Sequence, residues 1–221
     1  MSIRNNNMIN ESNEIKKWED YDKIICPNGQ EIDMNVLLDD QERAKAALVH
    51  LCPFFGEFIS KLRPVYTFRI ETQATDGKNL LINPQFTYNL NFSEKVFVLA
   101  HELMHCVLNH MRRIQKQGWP MDRANVAADY ECNITISKES GGMGIISLDT
   151  MKKLDVYVDK KYMSWGLEAI YADCNKSYND NQENKKGQND ASDPAQQKAD
   201  KDYIKGWNQA IADWKSGKLK L

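Results

Sequence analysis

Residues 96–110 read Val-Phe-Val-Leu-Ala-His-Glu-Leu-Met-His-Cys-Val-Leu-Asn-His. Its apolar residues fall almost all the way round a helical wheel, so a helix formed here is buried. Yet the same stretch carries His101, Glu102 and His105. Unpaired polar groups in a core cost several kcal/mol, so a fold that buries this helix must satisfy all three side chains. Residues four apart lie about 40° from alignment on one helical face. His101 and His105 are therefore expected to point at one metal ion, with Glu102 just off that axis.

The rest of the composition narrows the field. Three of the chain's four histidines fall between 101 and 110. A net charge of −2 with scattered basic residues gives no nucleic-acid footprint. No apolar run approaches membrane-span length, and the polar N-terminus lacks an apolar signal core, so a cytoplasmic location is the expectation. Five dispersed cysteines without a C-x-x-C fit reduced thiols, with Cys106 and Cys132 as small core fillers.

Along the chain, residues 1–36 read as a polar extension and 37–174 as the main domain. A polar linker is expected over 175–202 and a C-terminal amphipathic helix over 203–221. A helix is expected over 39–61, divided at Pro53. Strands at 65–72 and 79–82 are expected to pair as a hairpin around the Thr75-Asp76-Gly77 turn. Asn91 and Glu94 form a capping-box variant opening the histidine helix, which is expected to run to Gln117 and stop at Gly118-Trp119-Pro120. A second helix is expected from Asp122, which reads as its cap, and a short one over 163–172 capped at Ser164.

Zinc needs a third protein ligand. Asp129 and Asn133 stand four apart on the second helix and share a face, so Asp129 is the expected ligand and Asn133 the partner of a ligand histidine. Glu131 is the adjacent alternative. His110 lies nine residues after His101, half a turn away on a regular helix, and is expected to face elsewhere. Glu102 is the candidate general base towards a metal-activated water. Tyr130, Tyr171 and Tyr66 are undistinguished candidates for an oxyanion stabiliser.

These residues carry a resemblance. The chain resembles the thermolysin-like zincins (gluzincins), in which H-E-x-x-H is followed on a second helix by Glu-x-x-x-Asp. Asp129-Tyr-Glu-Cys-Asn133 stands in that place, with an arm one methylene shorter. It looks closer still to the metallopeptidase domain that precedes von Willebrand A-like domains in bacterial and phage proteins. The matching stretches are Thr75–Gly77, Asn83-Pro84, Ala100–His105, Asn109-His110, Ala127–Asn133 and Leu167–Tyr171. The resemblance implies an α+β, zincin-like core: a histidine helix, a second ligand-bearing helix and a small sheet whose edge, near 65–82, receives an extended peptide. It implies Zn²⁺ as cofactor, peptide or protein substrates, and hydrolysis by a metal-activated water with Glu102 as base. In that family a sensor-like domain often follows, so a stand-alone or shortened form is expected. The competing expectation is a non-catalytic, metal-stabilised protein-binding module, with a partner held through the polar C-terminal region.

Overall fold

The computed structural model describes residues 21–138, 145–147, 151–152, 154 and 156–185, with side chains described up to residue 176. The protein is α+β. The chain divides into two compact units, Met1–Leu99 and Ala100–Leu221, and the expected helix over 203–221 lies outside the described residues.

In the first unit, strands β1 (Lys23–Ile25) and β2 (Glu31–Asp33) form an antiparallel hairpin closed by the Cys-Pro-Asn-Gly turn, where Gly29 takes a φ of 86°. The hairpin lies inside the stretch 1–36 expected as a polar extension; three-residue strands are too short to show alternation. Asp33 then caps α1 (Met34–Leu51), accepting from the backbone N–H groups of Asn35 and Val36. Helix α1 buries Met34, Leu37, Gln41, Ala44 and Leu48, a face repeating every three to four residues. Pro53 separates it from the short α2 (Phe55–Ile59).

The expected pairing of 65–72 with 79–82 needs correction. Strand β3 is Arg63–Tyr66 and runs parallel to the central β5 (Asn79–Ile82). The hairpin is instead made by β4 (Gln73–Thr75), which lies antiparallel to β5 on its other side. Its turn works as read: Asp76 Oδ1 accepts from the N–H of Lys78 and Asn79, and Gly77 takes a φ of 84° that side chains disfavour. Asn83 caps α3 (Pro84–Asn89), with Pro84 in the first turn where its missing N–H costs nothing.

Helix α4 (Phe92–Val107) opens with the expected reciprocal cap. Asn91 Oδ1 accepts from the Glu94 N–H at 3.0 Å, and Glu94 Oε2 accepts from the Asn91 N–H at 2.8 Å. The helix does not continue to Gln117. Asn109 adopts the left-handed conformation (φ 55°, ψ 38°) and a separate α5 (His110–Gln117) begins beyond it. Asn is among the few residues that enter this region at low cost, so the break is written in one side chain that a wheel projection ignores. Gly118, also left-handed, ends α5.

In the second unit, α6 spans Met121–Ile136. Its cap position is Pro120, so Asp122 sits in the first turn, where its charge suits the helix dipole, and is not the cap as expected. The last described helix, α7 (Leu167–Lys185), starts three residues after Ser164, whose φ of 65° rules out the expected capping role. It runs past 175, into the stretch read as linker. Ala124, Ala127 and Ala128 of α6 let α7 approach closely. Leu167, Ile170 and Tyr171 pack there with Tyr162 and Ile114 as the unit's core. No described helix is long and apolar enough to cross a membrane.

Candidate metal centre

The centre lies within the second unit, between the residues of α4 from Ala100 onward and α6. His101 and His105, one turn apart, bring their Nε2 atoms to 3.1 Å. Asp129 Oδ1 on α6 lies 3.5 Å from His101 Nε2 and 3.3 Å from His105 Nε2. Three tetrahedral ligand atoms at bonds of about 2.0–2.1 Å stand about 3.3–3.4 Å apart, so this near-equilateral triangle has the size a zinc-like ion requires. Asp129 Oδ1 is buried and accepts no hydrogen bond among the described residues. A buried carboxylate oxygen whose partners are two imidazole nitrogens at 3.3 and 3.5 Å is poorly satisfied, and a cation supplies what is missing. The residues present therefore fit a metal ion.

Electrostatics couple the three. Burial by itself lowers the His101 pKa, but the neighbouring Asp129 carboxylate, with Glu102 and Asn133, outweighs it and raises the value to about 9. In His105 burial wins over Asp129, helped by the charges of His101 and His110, and the value falls to about 4. Burial would raise Asp129, yet the two imidazoles hold it at about 2. The metal-free pair thus keeps one proton, clamped by Asp129.

The outer face of each histidine is also held. His101 Nδ1 donates to Asn133 Oδ1 at 2.8 Å, while Asn133 Nδ2 donates to the Tyr157 carbonyl at 2.8 Å, which fixes the amide's orientation. His105 Nδ1 meets His110 Nδ1 at 3.0 Å, and His110 Nε2 lies 2.8 Å from Glu131 Oε2. His110 therefore does not face away, as a regular helix requires; the turn at Asn109 swings it back behind His105. Arg113 donates to the same Glu131 oxygen at 3.1 Å and to the Leu108 carbonyl at 3.2 Å. It also grips both oxygens of Glu168, at 3.0 and 2.6 Å. Sequence reasoning missed this network, although Asn109 before His110 was its available signal.

Two further groups matter. Glu102 is buried, at 7 % exposure, with its charge felt at His101 and Cys132. Cys132, read as core filler, is fully buried and forms a possible ligand group with His101 and His105, their atoms within 4.8 Å of one another. Burial, with the charges of Asp129 and Glu102, pushes its thiol well up. Of the tyrosines considered above, Tyr130 packs between Tyr157 and Tyr162, and Tyr171 stacks on Trp119 at 3.9 Å.

The profile of a family described as a putative metallopeptidase domain matches residues 38–219. The chain belongs to this family. No curated protein and no solved structure gives a significant match. Membership in the metallopeptidase family is consistent with a metal-binding cluster of this kind and implies peptide or protein as the substrate class.

Proposed function

We propose that the protein is a zinc-dependent, zincin-like peptidase in which His101, His105 and Asp129 hold the metal and Glu102 is the general base. One observation carries this reading: the triangle of His101 Nε2, His105 Nε2 and Asp129 Oδ1 with sides of 3.1, 3.3 and 3.5 Å, one corner of it a buried carboxylate oxygen without a well-formed hydrogen bond.

When bound, the ion supplies Lewis acidity and brings the pKa of water close to neutrality. The chain's own residues do the rest. Asn133 holds His101 by its Nδ1–H, which turns Nε2 towards His105 Nε2 and Asp129 Oδ1. The Glu102 carboxylate takes the proton of the attacking water and delivers it to the departing amine nitrogen.

A second reading has support in Cys132. A thiolate completing a His-His-Asp-Cys sphere would close the site and make the metal structural, because catalytic zinc keeps an open position. The two readings separate cleanly by metal analysis of the full chain and cleavage of a random peptide library. Expected are about one zinc per chain in wild type, its loss in His101→Ala and Asp129→Ala, and its retention in Cys132→Ser. Glu102→Gln should keep zinc and lose cleavage by at least about a hundredfold. Zinc that departs with Cys132→Ser, in a protein that cleaves nothing, would establish the structural reading instead.

A further inference from the structure

His110 is fully buried and belongs to no ligand set proposed above. Both its ring nitrogens are engaged, at 3.0 Å to His105 Nδ1 and 2.8 Å to Glu131 Oε2. These contacts have a direction. The Glu131 carboxylate only accepts, so His110 Nε2 carries the hydrogen and a neutral His110 has a lone pair at Nδ1. With that tautomer of His110, whose Nδ1 also faces Cys132 Sγ at 3.8 Å, His105 Nδ1 is the donor across the 3.0 Å contact. That leaves the lone pair of His105 on Nε2, the atom 3.3 Å from Asp129 Oδ1. The Glu131 end is itself anchored, because Arg113 binds the same Oε2 and is in turn gripped by Glu168.

We propose that His110 is a positioning residue: it transmits the hydrogen-bonding demand of Glu131 to His105, and so fixes His105 as the Nδ1–H tautomer with Nε2 presented to the metal. The inference rests on the metal-centre reading above. A ligand histidine usually gives its second N–H to a carboxylate, carbonyl or water. Here an imidazole is interposed, with ring centroids of His105 and His110 5.1 Å apart. The negative charge is thereby held one ring further from the centre. The orientation of His105 is set without adding a second anion beside Asp129, which would leave a bound ion its Lewis acidity. Nor can His110 be a ligand in this geometry, since it meets the ring nitrogen of His105 opposite to the one that converges with His101.

The test compares wild type, His110→Leu, His110→Gln and His105→Ala in the full chain. Zinc affinity is read by chelator competition, and histidine tautomers by long-range ¹H–¹⁵N correlation of the metal-free protein. Leucine fills the space but accepts nothing. Glutamine can accept from His105 through its oxygen and donate to Glu131 through its amide. His110→Leu should bind zinc about ten- to a hundredfold more weakly, and His110→Gln should recover most of that loss. Wild-type His105 should show the Nδ1–H form, a readout that stands even if the leucine variant fails to fold. Wild-type affinity in His110→Leu, damage from His110→Gln equal to that of His105→Ala, or an Nε2–H form of His105 would each overturn the proposal. A wild type that binds no zinc, yet shows the Nδ1–H form, would refute the metal centre while leaving the relay standing.

Discussion

Zinc binding should cost the protein one proton, and its affinity should track pH accordingly. With the His101 pKa raised to about 9 by Asp129 and that of His105 lowered to about 4 by burial, the metal-free pair holds one extra proton at neutral pH. A metal ligand must be deprotonated, so an entering ion displaces that proton. At pH 7 the His101 proton is held about two units above ambient, which weakens apparent affinity about a hundredfold, or ~3 kcal/mol. Between about pH 5 and 8.5 the affinity should therefore rise about tenfold per pH unit, flatten above about 9, and steepen below about 4 as His105 also protonates. Calorimetry in buffers of differing protonation enthalpy counts the proton directly, and chelator competition follows the slope. The Asp129→Asn variant loses the carboxylate that raises His101, so its weaker residual binding should lose the slope above about pH 6.5. A flat wild-type profile from pH 6 to 9, or release of no proton at pH 7, would refute the Asp129 clamp. Folding of the metal-free protein runs the other way. The raised His101 pKa contributes stability below about 6.5 that is lost as pH rises through about 9, whereas the depressed His105 pKa removes stability as pH falls from about 6.5 to 4.

Other substitutions test neighbouring parts. Asn133→Ala should weaken zinc about ten- to a hundredfold in chelator competition, because it removes the acceptor of His101 Nδ1–H, while Asp129→Ala should do more. Asn109→Val should lower stability by about 1–2 kcal/mol in urea unfolding, since a β-branched residue resists φ 55°, whereas Asn109→Gly should be nearly neutral. Arg113→Met should cost about 1–2 kcal/mol in the same assay, because buried Glu131 loses one of its two partners and keeps His110. Asn91→Ala should cost about 1 kcal/mol through the loss of the reciprocal cap, without altering zinc affinity.

What the sequence by itself determined is local. The cap of Asn91 and Glu94, the turn at Asp76-Gly77, the division at Pro53 and the stop at Gly118 all depend on residues within a few positions of one another, where chain geometry leaves few choices. The phase of His101 with His105 and of Asp129 with Asn133 follows from helical periodicity alone. Even Asn109 carried its signal, but a left-handed residue competes with a strong helical pattern and only the packed context shows which prevails. Tertiary structure decided the pairings between distant residues. Strand β5 lies between β3 and β4, a parallel neighbour on one side and an antiparallel one on the other, because strand order depends on which apolar faces are buried together and not on sequence adjacency. The contacts of His110 with Glu131, 21 residues away, and of Arg113 with Glu168, 55 away, arise from how α5, α6 and α7 pack. A network of that kind, buried at His110 and Glu131 and exposed at Glu168, has no periodic signature. Its members are polar or charged by type, and only the fold that removes His110 and Glu131 from water makes their pairing obligatory.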